Sequence, residues 1–220
     1  MYARDIVSEG VKPLEISDSG ESAIVRMHEY NVNQLPVTDG DKYVGMINME
    51  EIVALRHLND PIRDLELTLK RPYVYENAHL FEIIKAAVEY SVKVVPVLSP
   101  DGKYIGLITA EACVKAFARQ QSVMDEGGII TLTVPLKDFQ LSEIARIVEG
   151  NSAAILAYYS HAEQSDSTVD VTLKLNTTAV SPIISALERY GYQVDSVYND
   201  DNYNENVKDN YDALMKYLDV

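Results

Sequence analysis

"KYVGMIN" (Lys42–Asn48) and "KYIGLIT" (Lys103–Thr109) are near copies of one run, about sixty positions apart. The duplication spreads outward from them. Pro36 in "NVNQLPV" answers Pro96 in "SVKVVPV" at an offset of 60, whereas Gly45 answers Gly106 at an offset of 61. The extra residue falls where "TDGDK" becomes "LSPDGK", a hairpin tip, where insertion is best tolerated. A unit of about sixty residues written twice is a structural repeat, and it decides the fold of the first half of the chain.

Both copies share one pattern. In the first, "ESAIVRMHEYNV" spaces Ala23, Ile24, Met27 and Tyr30 by three and four, as a helix does. "QLPVT" and "KYVGMIN" are short β-rich runs around the Asp39, Gly40 turn signal. "MEEIVALRHL" reads as a closing helix, with Glu50 and Glu51 in the first turn, where the helix dipole favours anions. The second copy gives "AHLFEIIKAAVEY", "VVPVL", "KYIGLIT" and "AEACVKAFARQ". Each unit is therefore βαββα. Alone it would expose an apolar face, which its twin can cover by pseudo-twofold packing, so the tandem is one domain.

Composition narrows the function classes. The 220 residues are 47% hydrophobic and 24% charged, as in a folded globular chain with room for two cores. Net charge is -15, from 34 acidic and 19 basic residues, which argues against a nucleic-acid partner. Apolar runs of about six to nine residues fall short of the roughly 20 that span a bilayer. "MYARDIVSEG" also lacks a basic segment followed by an apolar one, so no membrane association and a cytoplasmic location are expected. The single Cys113 excludes an internal disulfide and reads as a small buried thiol within a helix. His28, His57, His79 and His161 are too scattered for a metal pair. With no nucleophile–base pair or glycine-rich phosphate loop, the expectation is a non-enzymatic protein without cofactor or metal.

The doubled set of helix, apolar-Pro-Val strand, Asp-Gly hairpin and Gly-apolar-Ile-polar strand end resembles the paired CBS domain, or Bateman module, over about residues 1 to 120. The resemblance implies a cleft between the copies that holds an adenine nucleotide or nucleoside, such as AMP or adenosine. It places phosphate and ribose contacts three and six residues after the strand glycine, at Asn48 and Glu51 after Gly45, and at Thr109 and Ala112 after Gly106. A carboxylate such as Glu51 can accept from a ribose diol, but Ala112 accepts nothing. Relatives that bind phosphate carry a cation just before the strand proline; Gln34 and Lys93 stand there, and Lys93 alone is charged. Several charge-assisted donors are needed to hold a triphosphate, so a monophosphate or nucleoside is favoured. A second reading of Asn48 and Thr109 stays open: either can cap the helix that follows it.

After "RQQSVMDEGG" the pattern changes. "GIITLTVPL", "AAILAYYSH", "TVDVTLKLN" and "YQVDSVY" read as strands, and "QLSEIARIVEG" and "VSPIISALERYGY" as helices, the latter with Pro182 in its first turn. The order βαββαβ is the split βαβ arrangement of a ferredoxin-like sandwich. The expected fold class is thus α+β, a CBS pair followed by a ferredoxin-like domain that resembles an ACT domain. The combination is similar to that of acetoin-utilisation-type regulatory proteins. ACT domains that bind amino acids carry a glycine where this chain has Phe139, so sheet pairing is the expected role here. The expected divisions are residues 1–121 for the pair (repeats about 1–60 and 61–121), 122–128 for a linker, 129–199 for the ACT-like domain and 200–220 for the tail.

The tail begins like a calcium loop at Asp200, Asn202 and Asn204, but Glu205 and Tyr211 stand where glycine and glutamate are required. It reads instead as an acidic linker and an amphipathic helix over Val207, Tyr211, Leu214, Met215 and Leu218. Together these features predict a homodimeric regulatory sensor that acts on another polypeptide. The rival reading is a structural oligomerisation module with no bound ligand.

Overall fold

A residue with positive φ ends the first helix of each repeat, Asn31 in one and Ser91 in the other, both at φ 52. These left-handed positions turn the chain back into a strand. The structure, a computed structural model, describes residues 1–8, 10–54, 58–65, 69–162 and 167–198. The chain divides into two compact units, Met1–Gln120 and Gln121–Val220. The expected tail helix lies outside the described residues, as does His57.

The first unit holds both repeats. One contains β1 (Leu14–Glu15), α1 (Gly20–Glu29), β2 (Gln34–Asp39), β3 (Lys42–Asn48) and α2 (Met49–Val53). The other contains β4 (Val74–Tyr75), α3 (Leu80–Glu89), β5 (Val94–Leu98), β6 (Tyr104–Thr109) and α4 (Ala110–Gln120). The Ser19 hydroxyl accepts from Ser22 N to start α1. At α3, His79 Nδ1 accepts from Phe81 N, while the Glu82 carboxylate accepts from His79 N. The sheets run β1-β2-β3 and β4-β5-β6, with the first pair of each parallel and the hairpin antiparallel. Even the irregularity is duplicated: register shifts at Val37/Thr38 and again at Val97/Leu98. The helix expected over "MEEIVALRHL" is shorter, ending at Val53, and positions 55–57 of that run lie outside the described residues.

The repeats exchange segments. Ala3, fully buried, belongs to the core of the second repeat, and Ser8 N donates to Leu107 O at 2.8 Å. In return Ile62 is buried in the core of the first, and Met46 N donates to Lys70 O at 2.8 Å. The strand glycines permit this. A Cβ on Gly45 would stand 2.6 Å from Leu69 Cβ, and one on Gly106 would stand 2.7 Å from Val7 Cγ2 and 2.9 Å from Ser8 O. Between the repeats, Tyr43, Met46, Val94, Leu98 and Leu107 form a shared buried cluster.

In the second unit β7 (Ile129–Pro135), β8 (Ile155–His161), β9 (Thr168–Leu175) and β10 (Gln193–Tyr198) form one antiparallel sheet of order β10-β7-β9-β8, with α5 (Leu141–Gly150) following β7 and α6 (Ser181–Arg189) following β9. Alternate residues Ile130, Leu132 and Val134 of β7 and Val169, Val171 and Leu173 of β9 meet Ile144, Ile147, Ile183 and Leu187 of the helices. This is the split βαβ arrangement. Gly127 and Gly128, read from sequence as linker, are buried; a Cβ on Gly127 would lie 1.8 Å from Leu175 O. Among the described residues no helix is long and apolar enough to cross a membrane.

Cys113 on α4 is 7% exposed, and burial pushes its thiol pKa up. Reaction with a thiol reagent at mild alkaline pH should therefore be slow in the folded protein and immediate in denaturant. Rapid labelling without denaturant would show that α4 does not hold its place.

Candidate functional site

Each hairpin delivers its last residue to a helix start. Asn48 ends β3 and caps α2: its Oδ1 accepts from Glu50 N at 3.1 Å, and Glu51 Oε2 accepts from Asn48 N at 3.3 Å. Thr109 ends β6, and its Oγ1 accepts from Ala112 N at 3.1 Å. These contacts satisfy backbone donors that lack intrahelical partners. Gln34 lies opposite Asn48 in the β2–β3 ladder, and its Oε1 accepts from Lys93 N at 3.4 Å, a tie between the repeats. The Lys93 side chain is exposed.

The five residues expected to meet a ligand divide into two sets. Gln34, Asn48 and Glu51 line one narrow cleft of about 50 Å³ together with Lys70, Pro72, Tyr90 and Val92. Lys93 and Thr109 lie outside it, at the matching place on the second repeat, where Val94 pairs with Thr109. Sequence reasoning missed Lys70 and Tyr90. The signal for Lys70 is "LKRPYVY", two adjacent cations before a proline, whereas Tyr90 closes "AHLFEIIKAAVEY", where it reads only as a helix end. Lys70 reaches the first repeat only through the exchanged segment.

Wider hollows flank the cleft. Tyr90 also lines a groove of about 650 Å³ with Arg71, Tyr73, Tyr75, Asn77 and Glu82. A further hollow of about 710 Å³ lies at the hairpin tips, lined by Tyr43, Arg71, Tyr73 and Lys103 among others. Arg71 Nη2 donates to Tyr43 O at 3.0 Å, and Tyr43 Oη donates to Pro72 O at 2.8 Å. Burial pushes the Tyr43 phenol pKa up, so it stays a neutral donor. Tyr43, Tyr73 and Tyr75 follow edge-to-face, with ring centroids 6.4 and 5.5 Å apart. The 710 Å³ hollow at the hairpin tips contains none of the five expected residues, so size alone does not mark the site. The cleft that gathers three of them has room for water, whereas small-molecule sites typically span roughly 300–1,000 Å³. A ligand there must extend past Tyr90 into the 650 Å³ groove.

The CBS domain family profile matches residues 3–57 and 62–119. The chain is 23% identical over 161 residues to an inosine-5'-monophosphate dehydrogenase of Methanocaldococcus jannaschii, covering 73% of this chain and 32% of that enzyme. It thus spans about a third of that relative. A CBS domain pair/ACT domain protein of Thermotoga maritima matches with a TM-score of 0.50 and 18% identity, over 54% of this chain and 98% of its own. The CBS-pair protein CBSX2 of Arabidopsis thaliana, solved in complex with AMP, matches with a TM-score of 0.47 and 23% identity, over 54% of this chain and 96% of its own. With both repeats matched by the family profile and folded as two βαββα units, this chain belongs to the CBS domain family.

Proposed function

We propose that the chain is a non-enzymatic regulatory module that binds an adenine nucleoside or monophosphate between its CBS repeats and acts on another polypeptide. The convergence of Gln34, Asn48, Glu51 and Lys70 on one cleft beside Tyr90 carries the reading. Tyr90 offers the base a face to stack on, Glu51 accepts from a ribose diol, and Lys70 with Arg71 draws a phosphate. Thr109 and Lys93 are the corresponding contacts of a second, weaker position. The second unit is an ACT-like domain that assembles by its sheet. The Phe139 ring packs against that unit's core, which favours assembly over amino-acid capture. In solution the chain is a homodimer.

One observation favours the rival, a ligand-free assembly module: Asn48, Glu51 and Thr109 already satisfy helix-start backbone donors or one another. Thermal melting with adenosine, AMP and ATP separates the two. A ligand at about 100 times its Kd stabilises the fold by roughly 2.7 kcal/mol. That amounts to a rise of about 5 to 11 °C at 2–4 °C per kcal/mol. Lys70→Ala should shrink the AMP shift while leaving the ligand-free melt in place. Thr109→Ala should destabilise the ligand-free protein by about 1 kcal/mol, the value of a lost cap. If none of the three compounds moves the melt, the assembly reading replaces this one.

A further inference from the structure

Along residues 70–75, alternate side chains serve different places. Lys70 and Pro72 line the narrow cleft, whereas Arg71, Tyr73 and Tyr75 line the hollow of about 710 Å³ at the hairpin tips. The tips are the ends of the hairpins opposite Asn48 and Thr109, so this hollow is separate from the cleft and from its counterpart on the second repeat. Its volume is that of a small-molecule site. Buried Tyr43 and Leu98 form part of its wall, and so do Tyr73 and Tyr75, which remain 41% and 43% exposed.

The charges around the hollow are unevenly used. Lys103 stands 3.9 Å from both Asp41 and Asp101. Arg71 donates one nitrogen to the Tyr43 carbonyl at 3.0 Å, and among the described residues neither Arg71 nor Lys42 is paired with a carboxylate. Two cations thus keep donors for an incoming anion. Asp39, Asp41 and Asp101 line the same hollow and count against a doubly charged one. The 650 Å³ groove shares Arg71, Tyr73 and Tyr75 but adds Glu82 and no second cation.

This set is not a by-product of the duplication. At the offset of 60 that superposes the β1–β2 and β4–β5 ladders, Val11, Pro13 and Glu15 take the places of Arg71, Tyr73 and Tyr75. The Glu15 carboxylate accepts from Thr38 Oγ1 at 3.2 Å and from Gly40 N at 3.3 Å. The chain lays its own acid along the first hairpin; beside the second it places two tyrosines and an arginine instead. The geometry points to the hollow as a further small-molecule site, for a flat aromatic carboxylate of single charge. Its acid group meets Arg71 and Lys42, and its ring lies against Tyr73 and Tyr75. The assignment stands whether or not the cleft takes a nucleotide.

The test is titration calorimetry of the full chain with phenylacetate as the probe. Phenylacetate should bind saturably. Phenylacetamide, which lacks the charge, should bind roughly tenfold more weakly or worse, as for a lost hydrogen bond to a charged group. Cyclohexylacetate, which lacks the flat ring, and phenyl phosphate, which carries the second charge, should also bind more weakly. Lys42→Glu, at an exposed position, should abolish phenylacetate binding with an unchanged far-ultraviolet circular dichroism spectrum and an unchanged melting response to AMP. Arg71→Gln should weaken it by roughly tenfold or more, and Arg71→Lys should restore it only in part. No saturable binding, or binding that survives Lys42→Glu, overturns the site. Phenyl phosphate or cyclohexylacetate binding as tightly as phenylacetate overturns the ligand class. Loss of the AMP response together with phenylacetate binding in Lys42→Glu makes the hollow part of the nucleotide position and overturns a separate one.

Discussion

Gly106→Val should be among the most damaging single changes in the first unit, although the side chain it adds is small and apolar. A Cβ added there would stand 2.7 Å from Val7 Cγ2 and 2.9 Å from Ser8 O, and the second of these is backbone. Relief requires the N-terminal segment to lift from β6. That breaks the Ser8 N to Leu107 O bond and withdraws Ala3 from the second repeat's core. Overpacking costs about 1–3 kcal/mol for added methyl groups in a tight site. Gly106→Ala should lie in that range, and Gly106→Val at or above its top. Gly45→Ala should behave alike, because its Cβ would meet Leu69 Cβ at 2.6 Å and Lys70 O at 2.9 Å. Denaturant titration gives the size of the loss. Hydrogen exchange gives its location, with Leu107 exposed in one case and Met46 in the other. A Gly106→Val protein that melts like the parent would mean that residues 1–8 do not cross to the second repeat.

This crossing marks the limit of what could be read in advance. Local patterns were legible because their causes are local: the period of α3, the alternation in β7 and β9, the Asp-Gly tips of the hairpins. The doubling of "KYVGMIN" in "KYIGLIT" disclosed the repeat and, through it, the family. The two strand glycines showed that something comes close, without showing that it is the segment preceding the other repeat's first strand. That contact joins residues far apart in the chain, which periodicity does not register. Lys70 was missed for the same reason, since its place in the cleft depends on the exchange. For Asn48 and Thr109, the residue types allowed both a cap and a ligand contact; the 3.1 Å contacts to Glu50 N and Ala112 N show the cap in place. Glu51 was read as a carboxylate aimed at ribose, and its first partner is the Asn48 amide.

Leu173→Ala should unfold one half of the molecule well before the other. Leu173 is fully buried on β9, an interior strand of the second sheet, opposite Ile130 on one side and Tyr158 on the other. Cutting a buried leucine back to alanine removes its transfer free energy and leaves a cavity, at a cost of about 2–5 kcal/mol. The interior-strand position argues for the upper part of that range, because neighbours held by ladders on both sides cannot easily collapse into the void. For a unit of 100 residues, each kcal/mol lowers the melting temperature by roughly 4–8 °C. The buried cluster that contains Leu173 is built only from residues of the second unit, while the clusters around Ile108, Leu35 and Tyr43 are built only from the first. Scanning calorimetry of the parent should resolve two transitions, or one that is broader than two-state, and Leu173→Ala should move only the component belonging to the second unit. The AMP-dependent rise expected of the CBS pair should survive in this variant at full size. If both components fall together and the AMP response is lost, the two units are energetically coupled, and the assembly role proposed for the second unit gives way to a relay.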